Sequence, residues 1–561
     1  MKRIYINLEL YSLKMIKLEN RIRGINKMKR KLALAVAPFL ALGMLVGCGS
    51  KEASNDTTSN AASTENTSGE TTSGEEIAET LVFAQGAEPR GLDPAYVDDG
   101  ESSKVIVNVY EGLLAYAEDS TEVEPCLAES WEISEDGLTY TFKLRQGVKF
   151  HDGTDFNAEA VKINIDRQLP PQATEDMPYA SFVFADVKEV NVVDEFTVEI
   201  ILTKKNTAFL ANLAMSLAAP MVSPAALEAN NGNLNQNPVG TGPYKFVEWN
   251  PSEDIILTRN DEYWDEAAKT KNIVFKFIPD NSARIVALKS GEVDMIDGID
   301  STGVDQIIAD GNQIHNVPGM NLNYLAYNVT REYFDDIAIR TSLSKAVNVP
   351  ELAEGLYGEY AEVATTILPS FMPGFSEEVK QVAYDPEAAK AELAAAGFAG
   401  PIKMIVYNNP RVYNTRNKAL AEAVQGYWNQ VGVEVTIEDY DWTTYKDKVV
   451  AGDYDVCFYG WVGDNGDPDN FLNLLCDQNP SMNVARFNDE TYNAMIAEGT
   501  STEKGPERNA IYAKAEQYIA DQALWLPISH ASNLSAYVPS VQNYSYHPTG
   551  NIFFKNIYKT K

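Results

Sequence analysis

Gly460-Trp461-Val462-Gly463-Asp464-Asn465-Gly466-Asp467-Pro468-Asp469-Asn470-Phe471-Leu472 sets three carboxylates among three glycines and brackets them with a tryptophan and a phenylalanine. The apolar run just before it, Tyr454 to Tyr459, predicts a short strand. That strand carries Trp461 to its end, and the acidic loop hangs off it. Glycines at this point let the backbone approach a bound group closely. A loop that is acidic, glycine-rich and flanked by aromatic residues suits a small cation on an apolar body. Two plainer readings compete. Asp, Asn, Gly and Pro together make ordinary turns. A calcium loop needs carboxylates at alternating positions and a Glu at the twelfth, whereas counting from Asp464 the carboxylates fall at positions 1, 4 and 6 and Leu475 is the twelfth.

Outward from this loop, the chain of 561 residues has 45% apolar and 10% aromatic content, enough for two large lobes with substantial cores. The net charge of −34 is uneven: residues 1–47 carry +8, which leaves −42 on residues 48–561. A body so acidic repels phosphate backbones, so nucleic acid is not an expected partner, and direct contact with an anionic membrane surface is disfavoured. The four cysteines are too few for a disulfide scaffold, although Cys457 and Cys476 could pair. Neither they nor the four scattered histidines have metal-ligand spacing, so no metal and no cofactor is expected. No His-Glu-x-x-His, no Gly-x-Ser-x-Gly and no Cys/His pair marks a catalytic centre, and no enzyme activity or catalytic residue is expected.

Met28-Lys-Arg-Lys31 precedes an uncharged apolar run from Leu32 to Val46 and the ending Leu45-Val-Gly-Cys48. A basic region, a short apolar core and small residues before a cut read as a secretory signal, too short for the ~20 residues of a spanning helix. The Leu-x-Gly-Cys ending resembles the lipobox of bacterial lipoproteins, which implies a lipid on Cys48. Residues 1–27 have no role in such a signal and read as an over-extended start, with the signal at 28–47. Residues 48–79 are rich in Ser, Thr, Asn, Gly and Glu and read as a flexible tether.

The body opens with a strand at Leu81–Phe83. Trp131–Ile133 and Leu138–Leu144 form a hairpin about Asp136-Gly137, and Val187–Leu202 a second about Asp194-Glu195. Asn157 is set to cap a helix, as are Asp336 and, with Pro at the first helical position, Asp385. Ile273–Ile278 is a strand ending at Pro279-Asp280. The first half is therefore rich in hairpins and the second alternates strand with helix, a texture of two lobes with a ligand site where they meet.

Five stretches carry a family resemblance: Leu127-Ala-Glu-Ser-Trp131 with Gly137 to Gly153, Pro238-Val-Gly-Thr-Gly-Pro243, Leu325-Ala-Tyr-Asn328, Tyr384-Asp-Pro-Glu387, and the acidic loop itself. Together they make residues 80–561 resemble the extracellular solute-binding proteins of family 5, the peptide-binding components of ABC importers, and most of all their dipeptide-binding branch. The resemblance implies an α/β, two-lobed periplasmic-binding-protein-like fold of the large class II type, with an extra β-rich subdomain in the first lobe. Lobe I is then 80–277 (subdomain about 120–240) with a return at 529–561, and lobe II is 278–528, the crossings lying near 277–280 and 526–530. It implies a short peptide as ligand, ABC permease subunits as partners, a monomer, and a place on the outer face of the cytoplasmic membrane or in the periplasm. By the same resemblance Asp464 takes the ligand's ammonium, and Arg411, in Arg411-Val-Tyr-Asn414, takes its carboxylate. Val412 replaces the proline usual there, and Arg416 is a competing candidate. Tyr413, Trp461 and Phe471 line or brace the pocket beside Gly463. Other members of the fold carry oligopeptides, glutathione, haem or nickel complexes, and these remain the alternative cargo.

Overall fold

The computed structural model describes residues 76–561, apart from 409, 477–479 and 481. The expected start, signal, Cys48 and nearly all of the tether lie outside the described residues. The chain enters at β1 (Thr80–Gln85), where Leu81, Phe83 and Ala84 are buried. A short ladder of β2 (Leu114–Tyr116) and β3 (Val123–Pro125) follows. Then β4 (Ala128–Ile133), β5 (Thr139–Leu144), β6 (Val187–Asp194) and β7 (Thr197–Leu202) form a separate antiparallel sheet in the order β4-β5-β7-β6. Its first hairpin turns where expected, with Gly137 at φ 71°, a conformation glycine adopts without strain. Alternation along β5 buries Tyr140, Phe142 and Leu144 against the helix Ala158–Asp166, which Asn157 caps through the amide of Ala160.

The chain then builds the edge of the main sheet with β8 (Tyr244–Asn250), β9 (Asp254–Arg259) and β10 (Asn272–Phe277), β10 lying parallel beside β1. Asp280 caps a helix, Asn281–Ser290, that returns β11 (Met295–Asp297) to the other side of β1. After β12 (Gln313–Pro318) comes β13 (Asn321–Tyr327), then β14 (Ala361–Val363), β15 (Ile402–Tyr407), β16 (Val435–Tyr440), β17 (Val456–Val462), β18 (Trp525–Tyr537) and a terminal pair, β19 (Val541–Gln542) and β20 (Tyr558–Lys559). The main sheet runs β16-β15-β17-β13-β18-β11-β1-β10-β9-β8, with β12 and β14 also pairing β18. Parallel neighbours such as β15 and β16 are joined through a helix, here Asn417–Gln430, as parallel pairing requires.

One strand belongs to both halves of this sheet. From Trp525 to Ser529, β18 pairs β13; from Ser532 to Tyr537 it pairs β12, and at its end β11. The other crossing is the link from β12 to β13, where a Cβ on Gly319 would meet the carbonyl oxygen of Ala531 at 2.3 Å. Asn321 bonds both the amide and the carbonyl of Ala531 at 2.8 Å, so the two crossings are pinned together. Strand pairing thus places residues 281–318, which the sequence reading assigned to the second lobe, with the first. A strand followed by a strong helix cap reads equally well as a crossing or as a βα unit returning to its own sheet, and here it is the latter. Residues 76–77 and the C-terminal residues also meet in the first lobe: Ile77 bridges Thr560, and the amide of Lys561 bonds the carbonyl of Glu76 at 2.9 Å.

Each lobe has its own apolar core, one around Leu81, Phe275 and Phe554 and others around Tyr324, Tyr445 and Trp428. Cys457 lies in the second lobe's core as a thiol, not a half-cystine, and burial pushes its pKa up to about 12. The pairing with Cys476 is therefore not formed.

Candidate functional site

The strand β17 organises the site. It extends three residues beyond the apolar run seen in the sequence and ends at Val462, so Trp461 is its penultimate residue and the loop begins at Gly463. Gly463 is required by crowding: a Cβ there would lie 2.5 Å from the Phe471 ring and 2.7 Å from Met320. Phe471 itself is wholly buried in the second lobe's core, where it braces the loop from beneath. Trp461 is half-buried and donates its indole N–H to Asn470 Oδ1 at 2.6 Å.

The three loop carboxylates have separate fates. Asp467 caps the short helix Pro468–Leu472 and receives a bidentate grip from Arg508 at 2.7 and 2.9 Å, both residues only 2% exposed. Asp469 accepts from Thr500 Oγ1 at 2.8 Å, and burial pushes its carboxyl up to about 6. These two hold the loop in shape. Asp464 is left for the space between the lobes. It has no ion-pair partner among the described residues, and its Oδ2 accepts only from the phenol of Tyr179 at 2.7 Å. Burial raises its carboxyl to about 6, a shift the Tyr179 hydrogen bond partly offsets. Tyr179 belongs to the first lobe, and so does Tyr116, whose hydroxyl donates to the Asp464 carbonyl at 3.1 Å. Asn212 accepts from Asn465 at 2.8 Å. The loop of one lobe is thus seated on the other.

Arg411 lies in the loop after β15, which packs on β17. The bridge between Arg411 and Asn414 tightens its loop, and the Asn414 side chain bonds Asn323, Asn417 and Tyr357 in a buried network. Tyr413 is 7% exposed and lies on Gly460, where a Cβ would come within 2.1 Å of its ring. That contact fixes the Arg411 loop to the strand that carries Asp464. About 13 Å of extended chain separates Gly460 from Asp464. Val412 is exposed. The Arg411 guanidinium lies 3.7 Å from the centre of the Trp442 ring, a favourable cation–π distance. It makes no ion pair among the described residues, and its Nε is buried without a hydrogen-bond partner. Arg416 is placed differently, donating to the Leu356 carbonyl at 2.8 Å.

Between these poles are residues the sequence reading missed. Tyr459 on β17 receives a hydrogen bond from Lys446 at 2.6 Å, and its ring stacks with Trp442 and Tyr445. Trp442 and Lys446 share a face of the helix Trp442–Ala451, one turn apart. That spacing was visible, but a lysine on an amphipathic helix is ordinarily solvated. Tyr116 and Tyr179 carried no signal, because their contacts with Asp464 span 348 and 285 residues of sequence.

A profile of the bacterial extracellular solute-binding proteins, family 5 Middle, matches residues 122–483. The chain belongs to this family. Among family 5 relatives, Heme-binding protein A of Haemophilus influenzae is 32% identical over 93% of this chain and 98% of its own. The Dipeptide-binding protein of Escherichia coli is 31% identical over 86% of this chain and 94% of its own. Among solved structures, a dipeptide binding protein from Pseudoalteromonas sp. SM9913 in complex with Met-Leu has a TM-score of 0.80 at 27% identity, covering 86% of this chain and all of that one. Family 5 is a family of solute-binding proteins, and its two-lobed α/β fold is the one described above.

Proposed function

We propose that this chain is the lipid-anchored, extracellular binding component of an ABC peptide importer, and that it captures short free-ended peptides, dipeptides foremost. The reading is supported by a pair of opposite charges, Asp464 and Arg411, neither with an ion-pair partner among the described residues, carried by two loops that both pack on β17. Burying a charge unpaired is costly, so each is best explained by a partner that arrives with the ligand. A free peptide is a zwitterion: its ammonium satisfies Asp464, and its carboxylate matches the planar fork of Arg411. Each charge-assisted bond contributes roughly 1.5–3 kcal/mol, which supports selection for free ends over side-chain identity. The dipeptide-binding relatives and the Met-Leu complex support the same cargo.

The test is calorimetric titration with Ala-Ala, N-acetyl-Ala-Ala and Ala-Ala amide. Blocking either end should weaken binding at least tenfold, whereas equal affinity for all three would falsify the reading.

A further inference from the structure

We propose that His547 is a positioning residue for the ammonium end of the site: from the C-terminal return it fixes the acidic loop that carries Asp464, and so sets how strongly a free amino group is preferred. This rests on the reading of Asp464 as the ammonium pole and adds to it a residue that acts through its neighbours.

His547 is buried in the first lobe, and its ring is held on both nitrogens. Nε2 lies 2.9 Å from the carbonyl oxygen of Ser120, which can only accept, so Nε2 carries the proton. Nδ1 is then bare and accepts from the amide and the hydroxyl of Thr549, at 3.2 and 2.7 Å. One neutral tautomer satisfies every contact, and burial, which lowers the imidazole pKa, favours it. Three routes lead from this ring to Asp464. Ser120 precedes Thr121 in the turn between β2 and β3, and Thr121 packs on Gly466, where a Cβ would lie 1.9 Å from its Oγ1. The carbonyl of the next residue, Pro548, accepts from the amide of Met320 at 3.3 Å, and the carbonyl of Met320 accepts from the amide of Gly463 at 2.7 Å. The Tyr116 ring stacks with that of His547, their centres 5.8 Å apart, and its hydroxyl is shared between the carbonyl oxygens of Ala211 and Asp464, at 2.8 and 3.1 Å. His547 and Pro548 thus hold the segment Gly463–Gly466 at both ends, and Tyr116 holds it between them. A hydrogen bond weakens steeply with misalignment, so an ammonium is gripped only as well as this segment is placed. Arg411 is set separately, through Tyr413 on Gly460 and the Asn414 network.

The experiment titrates Ala-Ala, N-acetyl-Ala-Ala and Ala-Ala amide into the wild-type protein and into His547→Phe, His547→Gln and Thr121→Ala. Phenylalanine keeps a ring against Tyr116 and loses the hydrogen bonds at both nitrogens; glutamine restores a donor near the place of Nε2. In H547F the preference for Ala-Ala over its acetylated form should fall by about threefold or more, while the preference over the amide stays within about twofold. H547Q should recover most of what H547F loses. Thr121 is half-buried in a turn, so T121A, which should also lower the acetylation ratio, decides the matter if H547F does not fold. An acetylation ratio unchanged in either variant, a fall of both ratios together, or no recovery in H547Q overturns the proposal. If the wild type itself does not distinguish Ala-Ala from its acetylated form, the free-end reading fails and takes this inference with it; a wild type that does, beside variants that do so equally, condemns the inference alone.

Discussion

Asp464 makes the site sensitive to pH, and the sign can be worked out. Its carboxyl is raised to about 6 by burial, and only the carboxylate form pairs with an ammonium. Affinity for Ala-Ala should therefore fall about tenfold per unit as pH drops below about 6, and level off above about 7. Asp464→Asn should remove this dependence and bind at least tenfold more weakly; titrations at pH 5, 6 and 7 on both proteins check it. The same shift works in reverse on stability. A raised carboxyl means that the native state holds a proton the unfolded chain has already released, so its stabilising contribution is present at low pH and is lost as pH rises from about 4 through 6. Asp469, up to about 6, and Glu516, pushed by burial to about 7, act in the same direction. A bound ammonium favours the Asp464 carboxylate, so the rise in melting temperature on adding Ala-Ala should be larger at pH 7 than at pH 5.

At the scale of elements, binding depends on how the Arg411 loop docks on β17. Gly460→Ala places a methyl group where the Tyr413 ring now lies, and overpacking of this kind costs typically about 1–3 kcal/mol. The ring must move, and Arg411 moves with it. Peptide affinity should drop by roughly tenfold with the far-ultraviolet circular dichroism unchanged, while an equal-affinity G460A would show that the two loops are set independently. This dependence also marks what sequence could and could not supply. The Asp-Gly turn, the caps at Asn157 and Asp385 and the apolar strands were legible because each is a local choice. The acidic loop was legible as a unit, but not the division of labour within it. That division depends on Arg508, forty-one residues on, which takes Asp467 and leaves Asp464 free for the cleft. Tyr179 and Tyr116 were illegible for the same reason, since nothing local distinguishes a tyrosine that meets the opposite lobe from one in a core. The early crossing expected at 277–280 failed because Asp280 is a good cap whichever lobe its helix joins.

Across the whole molecule, the lobes touch at more than the ligand site. Thr207 of the first lobe bonds the carbonyls of Thr500 and Thr502 at 3.0 and 3.2 Å, and Lys205 pairs with Glu503 at 2.6 Å. These contacts hold the lobes together around the cleft without touching the proposed cargo. No described helix is long and apolar enough to cross a membrane, and the proposed lipid on Cys48 can be tested directly. Expressed in a bacterium fed a labelled fatty acid, the wild-type chain should incorporate label and sediment with membranes, and Cys48→Ala should do neither. Incorporation by the alanine variant would sink the anchor.

The meeting of residues 76–77 with the C-terminus has a practical corollary. Because Ile77 and Thr560 are ladder neighbours and Lys561 bonds Glu76, the order of the polypeptide is separable from its architecture. A few glycines and serines could splice residue 561 to residue 76, and new termini could be opened at the exposed Glu135-Asp136 pair. Such a rewired chain would present its fusion point on the small four-stranded sheet, well removed in sequence from both charged poles, and would give a soluble reporter of peptide capture that needs no lipid at all.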